Sequence, residues 1–309
     1  MEPDAAELEN VLAGLRQARP RLSPRYLYDA RGSRLFDEIT RTPEYYPSRV
    51  ELGLLRERGQ RIAARVGRGC ALIELGSGSA DKALALLAHL DTPRVYRPID
   101  ISREALDRTT AAVQSVRPDL EVSPHWGDFM CADAYANLPA EAQRLVYYSG
   151  STIGNFEPSE AVACLRGLRA RLASGDFLLL AADLVKDVQV LHAAYNDRSG
   201  VTAAFNKNVL SHLNARFGGD FDPDAFVHRA FYDARKRRIE MHLAARSEQV
   251  VTLGAQRLRF VPERPIHTES SYKFSTDELR SLATSAGFVP EDVIVDERSW
   301  FAEAVLRVP

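Results

Sequence analysis

The sequence is poor in cysteine. Cys70, Cys131 and Cys164 stand far apart in 309 residues, with no CxxC pair and no Cys/His spacing suited to a metal. A disulfide framework and a metal module are therefore not expected, and a reducing, cytoplasmic setting is. Apolar runs of membrane-spanning length are missing as well. The opening "MEPDAAELENVLAGLRQARP" carries acids at helical spacing rather than the basic-then-apolar layout of a signal peptide, so no membrane partner is expected. Nor is there an excess of charge of either sign. Forty basic residues stand against 42 acidic ones for a net charge of −2, which argues against nucleic acid as a partner. The basic clusters "RARL" near 169 and "ARKRR" near 234 are accordingly read as solvated faces. Internal repeats and low-complexity segments are also lacking.

What is present is an ordinary globular composition, 45% apolar and 27% charged, with two textures along the chain. From about 60 to 195 short apolar runs ("CALIELG", "RVYRPID", "RLVYYS", "DFLLLAAD") alternate with helical patterns, which reads as βαβ units and a mostly parallel sheet. From about 196 to 274 one helical stretch, "GVTAAFNKNVLSHLNARF", precedes alternating runs such as "RRIEMHLAARSEQVVTL" and "QRLRFVPE". The last residues return to the first texture, with helix "STDELRSLATSAG" closed by Gly287 and then "EDVIVDE" and "WFAEAVLRV". The expected division is a doubly wound α/β domain over 60–195 plus 275–309 and a smaller α+β domain over 1–59 plus 196–274. A cleft between them is the expected place for a ligand.

The strongest generic motif is "IELGSGSADK", residues 73–82. A strand ending near Glu74 gives way to Gly76, Ser77 and Gly78, where the backbone can turn tightly and approach a ligand, and a helix starts near Asp81. A plain strand-to-helix turn would look the same. Asp100 at the end of "YRPID" places a carboxylate where a ribose diol is gripped in such folds. Asp128 in "WGDF", beyond the following strand, can reach an adenine amino group, with Phe129 as an apolar surface. NAD fits poorly because the third position of its glycine pattern is Asp81, which would crowd the helix and repel a pyrophosphate. S-adenosylmethionine carries cationic sulfonium and amino groups, so a loop lined by Glu74, Asp81 and Asp100 suits it better.

Several longer strings carry a resemblance: "RYLYDARGSRLFDEITRTPEYYPSRVE" (25–51), "ELGSGSADK", "YYSGSTIGNFEP", "DLVKD", "AYNDRSGVTAAFNKNVL", "RIEMHLAAR" and "IHTESSYKFS". Together they resemble the ergothioneine-pathway L-histidine Nα-methyltransferases, from about residue 20 to 309. The resemblance implies a Rossmann-like class I methyltransferase domain with an antiparallel last strand, S-adenosylmethionine as methyl donor, S-adenosylhomocysteine as its product and no metal. It also implies L-histidine as the small-molecule substrate and trimethylhistidine (hercynine) as product. Gly76, Lys82, Asp100, Asp128 and Phe129 match the family's donor contacts. Asn155 and Tyr195 match residues at the carboxylate and amino end of the amino acid, and Tyr28 matches a tyrosine close to the methyl-accepting nitrogen. Tyr45, Glu269 and Ser271 match those around the imidazole, with Ser270 at a position that varies among relatives.

Other readings stand beside these. Asn155 could cap the helix beginning at "EPSEA". The pair Tyr45-Tyr46 could be packing, and Glu269 on a strand would ordinarily be a solvated charge. Met241 alternates with core positions, so it is a core residue first and pocket lining second. The seven histidines have no ligand-like spacing and receive no catalytic role. Two other functions remain open: N-methylation of another aromatic amino acid such as a tryptophan derivative, and a non-catalytic S-adenosylmethionine-binding regulatory protein.

Overall fold

The computed structural model describes residues 5–139 and 142–309, so Met1–Asp4 of the opening stretch lie outside the described residues. In chain order the helices are α1 (Ala5–Leu15), α2 (Ala30–Ile39), α3 (Pro47–Val66), α4 (Ala80–Leu87), α5 (Arg103–Val116), α6 (Pro158–Arg169), α7 (Val188–Tyr195), α8 (Val201–Phe217) and α9 (Thr276–Ser285). The strands are β1 (Ala71–Leu75), β2 (Val95–Asp100), β3 (Glu121–Val122), β4 (His125–Trp126), β5 (Arg144–Tyr148), β6 (Phe177–Asp183) and β7 (Phe226–Asp233). They continue with β8 (Arg238–Ala245), β9 (Gln249–Leu253), β10 (Gln256–Phe260), β11 (Ile266–Tyr272), β12 (Val289–Val295) and β13 (Phe301–Arg307). The chain falls into two compact units: a small unit, Met1–Tyr45 with Asp187–Ser271, and a sheet unit, Tyr46–Lys186 with Tyr272–Pro309. Residues 46–59 thus go with the sheet, because α3 packs on β13, and 187–195 go with the small unit, because α7 packs on β7 and β8.

The sheet unit is built on the order β12-β13-β6-β5-β1-β2-β3, with β4 also on β2. Strands β1, β2, β5 and β6 pair in parallel, and β13 lies antiparallel between β6 and β12. This is the doubly wound sheet with an antiparallel last strand that the resemblance implies. Its central strands read as mostly apolar runs because helices cover both faces. Every residue of β1 and of β6 is buried. The helices start where side chains can take the free amides: Ser79 caps α4, Ser102 caps α5, and Ser275 with Glu278 forms a capping box on α9.

At the end of β6 lies a buried charged cluster. The Asp183 carboxylate accepts from the Tyr46 hydroxyl at 2.7 Å, from Lys273 Nζ at 2.8 Å and from Lys186 Nζ, and Lys186 also donates to Leu184 O at 2.6 Å. Burial, the largest cause, pulls the Lys186 ammonium down to about 8, and Asp183 opposes it.

In the small unit β11, β8 and β7 form one sheet and β9 and β10 a separate hairpin ribbon. Helix α8 packs against α2 and β7, and its buried Asn208 donates to Asp29 Oδ1 at 2.6 Å, the same oxygen that caps α2 through Gly32 N. One sequence expectation needs correcting here. Arg238, the last residue of "ARKRR", is only 5% exposed, because its guanidinium donates to Glu240 Oε1 from both Nε and Nη2. A fork-shaped cation with a matched carboxylate is a group a protein interior tolerates.

Candidate active site

In the sheet unit the candidate residues gather at the carboxyl ends of the parallel strands, on either side of the switch from β1 to β5, where ligands bind in open α/β sheets. Gly76 follows β1 with φ +73°, a conformation that favours glycine, and its amide donates to Ile99 O at 2.9 Å. Thr109 fixes the loop from behind, its hydroxyl donating to Ser77 O at 2.5 Å. Ser77 Oγ is buried without a partner among the described residues, and a Cβ placed on Gly78 would meet nothing within 4 Å. An orphaned hydroxyl beside open backbone is a cradle fitted to a polar ligand.

The acids on this edge differ in state. The Asp100 carboxylate receives the Ser102 amide at 2.7 Å and further amides from Ser77 and Ile101; burial, the largest cause, still raises its pKa. Glu74 is 2% exposed and accepts the Tyr96 hydroxyl, and burial pushes its carboxyl up to about 7. Asp128 is exposed and holds the Met130 amide at 2.8 Å. Beside it the Phe129 ring packs on Tyr148 at 5.4 Å between centroids. Lys82, on the first turn of α4, gives its ammonium to Glu51 at 2.6 Å.

Asn155 is the last residue of a short 3-10 turn, Thr152–Asn155, entered through two left-handed residues, Gly150 at φ +71° and Ser151 at φ +57°. It does not cap the next helix. Glu157 does that, in a capping box with Glu160. Gly154 lets the turn lie against the backbone of Tyr272, since a Cβ there would stand 2.9 Å from Tyr272 O. Ser151 Oγ accepts the Asp183 amide at 2.9 Å, so the Asn155 turn is tied to the end of β6.

The small unit brings together Tyr28, Tyr45, Tyr195, Glu269 and Ser271. Tyr195, at the end of α7, donates to Ser271 Oγ at 2.8 Å. Tyr28 packs edge-on against Phe36 at 5.8 Å and Phe205 at 5.5 Å, and Tyr45 against Phe36 at 6.0 Å and Tyr195 at 6.3 Å. Burial, then the Glu269 carboxylate, push the Tyr28 phenol well above its ordinary range, so it stays protonated. Glu269 itself is buried at 7% exposure rather than solvated. Met241, at 1%, is core. Sequence spacing singled out neither Phe36 nor Phe205, whose aromatic alignment arises only when α2 meets α8.

Spacing also missed a convergence of Glu240, His242 and His267, whose ligand-type atoms lie within 4.8 Å of one another. Burial pushes the Glu240 carboxyl up, but the bonds from Arg238 and from His242 Nε2 at 2.9 Å outweigh it and hold the group down to about 2. The Glu240 carboxylate in this cluster is thus already taken up by a buried ion pair with Arg238 and a bond to His242. No helix among the described residues is long and apolar enough to cross a membrane.

A doubly wound sheet with an antiparallel strand beside its last parallel one, a glycine turn after the first strand and an acid at the end of the second define the class: a Rossmann-like, S-adenosylmethionine-dependent methyltransferase. A family model described as "Histidine-specific methyltransferase, SAM-dependent" matches residues 7–308, and the chain belongs to that family. A histidine N-alpha-methyltransferase of Mycolicibacterium smegmatis is 41% identical over 283 residues, covering 90% of this chain and 87% of that protein. Its namesake from Mycobacterium tuberculosis is 39% identical, with the same coverage. Ergothioneine biosynthesis protein 1 of Schizosaccharomyces pombe is 31% identical over 87% of this chain, which spans 36% of that longer protein.

Proposed function

We propose that the chain is a cytoplasmic enzyme that methylates the α-nitrogen of L-histidine three times, giving trimethylhistidine (hercynine) for ergothioneine biosynthesis. The observation that carries the substrate assignment is the buried Glu269 carboxylate in a group of aromatic rings and hydroxyls, a setting suited to an imidazole N–H. S-adenosylmethionine supplies an electrophilic methyl on a sulfonium. The glycine turn, Ser77, Lys82, Asp100, Asp128 and Phe129 hold that donor. Tyr28, Asn155 and Tyr195 hold the amino end and carboxylate of histidine, and Tyr45, Glu269 and Ser271 its ring.

Displacement at a sulfonium needs no acid for the leaving thioether, so these residues act by placement, an effect worth on the order of 7–11 kcal/mol for well-oriented reactants. The incoming ammonium must lose a proton first. A phenol held protonated is not a base, so the Tyr28 oxygen orients the nitrogen by accepting an N–H, which leaves the lone pair free to attack, and water takes the proton. Tyr28, Asn155 and Tyr195 are neutral, and aromatic faces attract a quaternary ammonium by about 0.5–2 kcal/mol, so nothing at the amino end stops the reaction after one methyl.

The test is mass spectrometry of products from purified protein, excess S-adenosylmethionine and each of the twenty amino acids, with 4-dimethylallyltryptophan added to the panel. Histidine is expected to give trimethylhistidine, with mono- and dimethyl forms only transient. Accumulation of monomethylhistidine, faster turnover of the tryptophan derivative, or donor binding without turnover of any substrate would each overturn the reading.

A further inference from the structure

Glu51 plays no part in the function argued so far, yet it is a fully buried carboxylate with three separate donors. Tyr147 on β5 donates its hydroxyl to Oε1 at 2.7 Å, the Gly150 amide donates to the same oxygen at 2.8 Å, and Lys82 Nζ on α4 donates to Oε2 at 2.6 Å. Two of these donors belong to segments with assigned roles. Lys82 is on the donor side, and Gly150 opens the turn that ends in Asn155. They are also close to each other, since a Cβ built on Gly150 would stand 3.7 Å from Lys82 Nζ.

A second glutamate gives the contrast. Glu303, in the middle of β13, is equally buried, and neither carboxyl oxygen has a partner among the described residues. Burial first, then the charge of Glu51, push its pKa well above the usual carboxylate range, so Glu303 keeps its proton. Of the two buried acids, one is held by three donors and the other by none among the described residues. A buried carboxylate so supported fixes its donors more firmly than a neutral acceptor does.

We propose that Glu51 is a positioning residue for methyl transfer: by holding Lys82 and the Gly150 amide on one carboxylate, it sets the donor-side lysine and the Asn155 turn as a single unit. The proposal rests on the reading that Lys82 meets the methyl donor and Asn155 the amino acid. It predicts that one side chain, on a helix carrying no other assigned group, governs the binding of both reactants.

The test compares Glu51→Gln with Glu303→Gln, using calorimetry of S-adenosylhomocysteine and steady-state kinetics at saturating S-adenosylmethionine. Glu51→Gln is expected to raise the Kd for S-adenosylhomocysteine at least about tenfold, the scale of a lost charge-assisted bond, and to raise KM for histidine as well. Glu303→Gln, isosteric with the protonated acid, is expected to leave both within about twofold. Equal effects of the two variants, or an effect of Glu51→Gln on melting temperature alone, overturn the proposal. If Glu51→Gln fails to fold, Lys82→Met tests the link from its other end. KM for histidine rises if the three groups act together, and an unchanged value overturns the link. An unchanged Kd for S-adenosylhomocysteine in Lys82→Met would instead remove Lys82 from the donor site, and the histidine KM would still judge the role of Glu51.

Discussion

The Tyr195 hydroxyl donates to Ser271 Oγ at 2.8 Å, joining the end of α7 to β11 across 76 positions of sequence. Tyr195→Phe keeps the ring and deletes the bond. It should cost about 0.5–1.5 kcal/mol of stability, the net worth of one hydrogen bond, and raise KM for histidine. Thermal melting and initial rates separate the two effects. A lowered melting temperature with an unchanged KM would leave Tyr195 as packing only.

Asp100 is held by three backbone amides at the end of β2, and the proposed function assigns it the ribose diol of the methyl donor. Asp100→Ala should weaken S-adenosylmethionine binding by about 1.5–3 kcal/mol, the range for bonds to a charged group. Calorimetry on the folded variant measures this directly, and unchanged affinity would take Asp100 out of the donor site.

Glu269 tests selectivity. Glu269→Ala should strand the imidazole N–H and raise KM for histidine far more than for phenylalanine, a weak substrate with nothing to offer that carboxylate. The quantity to measure is the ratio of the two changes. A ratio near one would assign Glu269 to the fold rather than to recognition.

Glu74 makes stability depend on pH in a predictable direction. Its folded carboxyl titrates at about 7 against 4.5 for the ordinary group, so between those values the folded chain keeps a proton that the unfolded chain has lost. The contribution is complete below about 4.5 and is lost as pH rises to about 7, a change of about 3 kcal/mol at about 1.4 kcal/mol per unit. Glu74→Gln has no such titration, so its melting temperature relative to the natural protein should climb across that window. A difference that stays constant from pH 4.5 to 7 would show that Glu74 ionises normally.

The sheet was legible because parallel strands with both faces covered are mostly apolar runs, as in β5 and β6 and, apart from Glu74, β1. The glycine turn and Asp100 were legible because they fall at strand ends, where backbone geometry dictates residue type. Residues whose meaning depends on distant partners were not. Arg238 reads as one more surface cation until Glu240 is seen two residues along the same strand face. Phe36 and Phe205 are ordinary apolar positions in their own helices. Glu51 looks like an exposed helical acid, and only the fold brings Tyr147, 96 positions away, to its carboxylate. Asn155 was ambiguous for a local reason, since an Asn two residues before "EPSEA" suits a cap and only the Glu157–Glu160 box excludes it.

The place of β13 in the sheet bears on how the chain is made. Strand β6, apolar and wholly buried in the finished protein, pairs with β5 on one edge and with β13 on the other. Its first partner is synthesised before it, whereas the second begins at Phe301, 118 residues after Asp183. At about 5–20 residues per second the outer edge of β6 waits about 6–24 s on the ribosome with its amides and carbonyls unpaired. An open apolar edge is a template for pairing with other chains. A chain interrupted after Ser271 carries every residue of the small unit yet keeps that edge open, so truncation near the end should yield aggregates rather than a soluble fragment.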